Sequence, residues 1–70
     1  MNKFYYVNTN AQNTGEHEVH AEGCNHMPSI SNREYLGYFD SCKDALREAR
    51  NKGYDKVDGC FYCANECHIK

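Results

Sequence analysis

Two short pairs of soft ligands, His20-x3-Cys24 and Cys60-x2-Cys63, bracket the middle of a 70-residue chain. Each pair sits in turn-like sequence. The first runs into "NHMP", where Pro28 disfavours helix at Met27. The second is a C-x-x-C, a spacing that lets two thiolates reach one ion from a single tight turn. Two such pairs roughly 35 residues apart have the grammar of a structural zinc site, in which four ligands close a tetrahedron. Any fold that uses them must bring residues 20–24 against residues 60–63.

Size gives that constraint its force. A chain this short buries only about 60% of the surface its unfolded form exposes. Ordering opposes folding by about 1.5 kcal/mol per residue, so small domains often need a disulfide, a metal or a partner. The large aliphatic residues are only Val7, Val19, Ile30, Leu36, Leu46, Val57 and Ile69, and there is no Trp. Six tyrosines and three phenylalanines must supply much of the core, and five cysteines are the candidate staples. An odd cysteine count leaves one thiol over in a disulfide framework. The start, "MNKFYYVNTN", has no apolar run of signal-peptide type. Both observations favour a reducing cytoplasm, where clustered cysteines more often bind metal than form bridges. No stretch has the length and apolarity of a transmembrane helix, so no membrane partner is expected. The reading is of one monomeric domain over residues 1–70.

The secondary-structure signals are short. "KFYYVNT" is aromatic and β-branched and reads as a strand, and "EHEVH" reads as a second that pairs back on it. "REYLGYFD" reads as another strand, with Gly37 marking a bulge or a close approach. Ser41 occupies an N-cap position, followed by Cys42, Ala45, Leu46 and Ala49 at helical spacing, so a helix is expected over about 41–52 with Gly53 as its stop. Tyr54 and Val57 are expected to pack back on the sheet. "GCFYCANECHIK" closes the chain as a cysteine-rich knuckle with a short final helix. The expected class is α+β: a small antiparallel β-sheet, one amphipathic helix and a C-terminal zinc knuckle.

The preferred ligand set for one zinc ion is His20, Cys24, Cys60 and Cys63. Cys67 and His68 compete for the fourth position, because in a helical turn Cys67 would share a face with Cys63. Cys42 lies on the apolar face of the helix and reads as a packed thiol, since free cysteine is among the most buried residue types. Cys63 or Cys67 as a reactive thiolate is the alternative reading. A metal-free domain with reduced, packed cysteines is another. Net charge is −2, so the chain offers no basic field for non-specific nucleic-acid binding. Locally, Lys43, Arg47 and Arg50 form a stripe that either contacts phosphate or is simply a solvated helix face. The solvent-facing aromatics of the strands are a second candidate surface, for stacking bases.

The order H-x3-C, then a strand, then "FDSCKDALREARNKGY", then C-x2-C resembles the N-terminal zinc domain of the Ada-type methylphosphotriester-repair proteins. That family has C-x3-C, a strand ending in Phe, a short helix, a "GY" or "GF" stop and C-x2-C. The likeness spans residues 19–63 and implies a zinc fold with a looser suggestion of nucleic-acid association. Two departures qualify it. His20 stands where the family has its methyl-accepting cysteine, so no acceptor chemistry is implied, and "KVDGC" replaces the family's "RPC". The implied role is a zinc module that binds nucleic acid or a partner protein.

Overall fold

A computed structural model of the chain describes residues Met1–Ile69. The elements in order are β1 (Lys3–Asn8), β2 (His17–Ala21), a 3-10 turn (Ile30–Asn32), β3 (Arg33–Phe39), α1 (Cys42–Asn51), β4 (Val57–Gly59) and a second 3-10 turn (Asn65–Cys67). The strands form one sheet in the order β3-β1-β2-β4. This is the α+β architecture the patterning implies: one helix, a mostly antiparallel sheet, and a Cys/His cluster near the C-terminus.

Alternation along β1 divides the sheet into two faces. Tyr5 and Val7 are buried and sit opposite Ala21 and Val19 of β2. They meet the helix, whose buried residues are Cys42, Ala45, Leu46 and Ala49. The two alanines on that stripe have small side chains, which lets the helix lie close on the sheet. Ser41 starts it as expected, its hydroxyl accepting from the Lys43 N–H at 3.1 Å. Tyr54 packs back against the sheet side, its hydroxyl donating to Glu34 at 2.7 Å.

Gly37 is the bulge. Pairing between β1 and β3 slips between Tyr5 and Tyr6, so that Tyr5 faces Gly37 while Tyr6 faces Tyr35. The extra residue, Leu36, is buried. Gly37 has φ 146°, and a Cβ there would lie 2.6 Å from the Phe39 ring that covers it. A side chain at this position would both strain the backbone and displace an aromatic from the core edge.

Two features differ from the sequence reading. β4 is a strand that the residues "VDG" do not announce, since Asp and Gly are poor strand formers. It pairs parallel to β2, with His17 opposite Val57 and Val19 opposite Gly59. Burial of Val57 and the backbone bonds from His17 N–H to Lys56 O and from Cys60 N–H to Val19 O hold it there. The second correction concerns Cys42 and Cys67. Cys42 is buried as expected, but it is not a free thiol: it forms a disulfide with Cys67 that joins the start of α1 to the C-terminal 3-10 turn. One bridge and three free thiols account for all five cysteines. The odd count therefore carries no information about the redox compartment. Among the described residues, no helix is long and apolar enough to cross a membrane.

Candidate metal centre

The centre forms where β2 outruns its short neighbour β4. Val19 is the last residue of β2 paired with β4. His20 and Ala21 continue one step further, and the open strand edge faces the knuckle that follows β4. The turn after Ala21 brings Cys24 back, with the Cys24 N–H donating to Ala21 O at 3.3 Å. On the other side, Cys60 is anchored through its N–H to Val19 O at 2.9 Å, and the next turn closes with Ala64 N–H donating to Cys60 O at 2.9 Å. The knuckle packs so tightly that a Cβ on Gly59 would lie 2.5 Å from Ala64 O and 2.7 Å from Cys67 Cβ. Only glycine fits that crossing.

The ligand atoms of His20, Cys24, Cys60 and Cys63 all lie within 4.8 Å of one another. Cys24 Sγ and Cys60 Sγ are 3.8 Å apart, as are Cys63 Sγ and His20 Nδ1. With metal–sulfur bonds of about 2.3 Å, the edge of a tetrahedron is about 3.8 Å; with one nitrogen at about 2.0–2.1 Å it is about 3.6 Å. The observed separations match the first and lie close to the second. Backbone donors also converge on the sulfurs, from Ala21 N–H to Cys63 Sγ at 3.2 Å and from His26 N–H to Cys24 Sγ at 3.4 Å. Such donors favour thiolates.

Electrostatics give the ligands complementary states. Burial lowers the pKa of His20, opposed by the nearby Glu18 carboxylate, which favours the neutral imidazole that a metal requires. Burial pushes the Cys63 thiol far above its ordinary value; the Ala21 N–H pulls the other way, while the Cys24 and Cys60 sulfurs add to the rise. Without a cation Cys63 holds its proton. A bound cation would supply the charge that displaces it.

Exposure is uneven. His20 and Cys60 are buried, whereas Cys24 and Cys63 are half-buried and border a cleft of about 370 Å³ with Lys3, Glu22, His26 and Tyr62. His26 lies flat on Tyr62 at 4.0 Å between centroids.

The other candidate ligands lie elsewhere. Cys67 is committed to Cys42, because the 3-10 turn over Asn65–Cys67 directs it toward α1 and not along a shared helical face with Cys63. Nδ1 of His68 lies 3.0 Å from both Asp58 Oδ2 and Gly59 O. That Asp58–His68 pair has no signature in the sequence, since it depends on β4 burying Asp58. The stripe Lys43, Arg47 and Arg50 is exposed on α1 as the spacing implies, with Arg47 3.3 Å from Asp44. No known protein family, curated protein or solved structure matches this chain.

Proposed function

We propose that the chain is a zinc-stabilised binding module in which His20, Cys24, Cys60 and Cys63 hold one zinc ion. The observation that carries this reading is the convergence of four donors, from segments 36 residues apart, within 4.8 Å of one another, with two of the separations at 3.8 Å. A three-sulfur, one-nitrogen set of this geometry suits zinc. Four protein ligands leave no open position for a catalytic water, so the role is structural. The likeness to Ada-type domains rests on the same spacing, and His20 at the acceptor position fits a module without methyl transfer. The reactive-thiol reading loses Cys67 to the disulfide, and Cys63 points into the cluster.

Native mass spectrometry is expected to show one zinc per chain, removable by chelator. Binding must displace thiol protons, Cys63's above all, so affinity is expected to fall as pH is lowered and to rise with pH. A mass without zinc after incubation with excess ion would overturn the reading.

A role in nucleic-acid binding is supported by one surface. Phe4, Tyr35 and Tyr38 are 41%, 49% and 54% exposed on the sheet face away from α1. The Phe4 ring lies 4.6 Å from Tyr38 and 6.2 Å from Tyr35 between centroids. Such a platform suits stacking of single-stranded bases. The basic stripe of α1 is on the opposite side of the sheet, so a single strand lying on the aromatics does not reach it. With no Trp in the chain, the six tyrosines are the fluorophores, and Tyr35 and Tyr38 are exposed on this face, where a stacked base would quench them. Quenching by a single-stranded oligonucleotide at low salt, weakened by Tyr38→Ala and unaffected by Arg47→Glu, is the expected result. No quenching at low salt would move the partner to the protein class.

A further inference from the structure

We propose that Glu18 is the positioning residue of the metal centre: it receives the Nε2–H of His20 and so assigns Nδ1 to the ion. This rests on the metal reading above and adds which nitrogen binds and what selects it.

The argument begins with the pleat. Residues 18 and 20 of β2 project from the same face of the sheet, one repeat apart. His20 is 1% exposed. Its Nδ1 is the nitrogen 3.8 Å from Cys63 Sγ, whereas its Nε2 is buried without a hydrogen-bond partner among the described residues. A neutral imidazole that gives one nitrogen to a metal keeps its proton on the other. Left without an acceptor in the interior, that N–H is a substantial penalty. Glu18 Oε1 lies 3.6 Å from Nε2, just beyond hydrogen-bond length, and a small side-chain rotation closes the gap.

No neighbouring acid competes for the role. Asp58 is directly across from Glu18 in β4, but its carboxylate is directed at residues 68 and 69, with Oδ2 left without a hydrogen bond among the described residues. Its Oδ1 accepts from the Ile69 N–H at 2.8 Å, and its Oδ2 faces His68 at 3.0 Å. A carboxylate that orients a metal-bound imidazole raises its basicity and fixes its tautomer, and losing it typically weakens metal affinity about 10- to 100-fold.

The test is a chelator competition with Zn²⁺ on the full chain, repeated with Co²⁺ for its absorption spectrum. Glu18→Ala is expected to weaken zinc binding about 10- to 100-fold. Glu18→Gln, whose amide oxygen still accepts, should recover most of that loss. In a His20→Cys background there is no imidazole to orient, so Glu18→Ala should cost no affinity. Nitrogen NMR of the zinc-loaded wild type should show His20 protonated at Nε2. Undiminished affinity in Glu18→Ala, an equal loss in the His20→Cys background, or a proton on Nδ1 would each overturn the proposal while leaving the metal site standing. Failure of the wild type to take up zinc would overturn the metal reading and this proposal with it.

Discussion

Cys60→Ser, or a chelator at neutral pH, is expected to unfold most of this domain. Cys60 is the most buried of the three cysteine ligands, at 2% exposed, so replacing it both removes a donor and leaves a hydroxyl in the interior. Structural zinc contributes apparent binding energies of about 10–16 kcal/mol in small zinc domains, against a total stability of about 5–15 kcal/mol for ordinary ones. Three sulfurs and an imidazole left facing each other without the ion have no comparable compensation. Far-UV circular dichroism should lose its strand signal. The melting temperature should fall by more than about 20 °C, the equivalent of a few kcal/mol in a domain of this size. A fall smaller than about 5 °C would show that the four residues do not support the fold through a metal.

Breaking the Cys42–Cys67 bridge should be the next largest effect, and it should leave the metal in place. The bridge closes a loop with a sequence separation of 25. Constraining a loop of that length in the unfolded chain is worth about 3–4 kcal/mol, so Cys42→Ala with Cys67→Ala should lower the melting temperature by about 15–25 °C. Zinc stoichiometry should stay at one per chain, because neither residue contributes to the cluster. A double variant that melts like the wild type would contradict the bridge. A Cys67→Ala variant that loses its zinc would place Cys67 among the ligands and overturn the assignment to His20. The two staples are thus separable: one ties β2 to the knuckle, the other ties the knuckle to α1.

Local chemistry made much of this legible beforehand. Ser41 with the Cys42–Ala45–Leu46–Ala49 stripe states a helix and its buried face at once, since cap and period agree. The β1 alternation states which of Tyr5 and Tyr6 goes inward as soon as one is assigned to the core. Gly37 flags the irregularity of β3, though which neighbour fills the space left by its missing side chain becomes visible only when Phe39 folds over it. β4 was not legible. Three residues carry too little pattern to outweigh Asp58 and Gly59, and the strand exists because β2 offers an edge and the knuckle needs an approach.

The cysteines show the same division most clearly. Spacing alone was enough to nominate His20, Cys24, Cys60 and Cys63, because ligand pairs on tight turns are local features, and those four side chains do converge. Choosing between His20 and Cys67 for the fourth corner was beyond the sequence. That choice depends on the path of the chain after Cys63, where a 3-10 turn sends Cys67 to Cys42 and leaves His20 facing the sulfurs. The orphaned Nε2 and the carboxylate beside it are likewise products of burial. The residues themselves determined which side chains can bind a metal and which segments form helix and strand, since both follow from short-range geometry. Only the tertiary structure decided which cysteines pair, which ligand completes the cluster and what holds it, since each requires contacts between segments far apart in the chain.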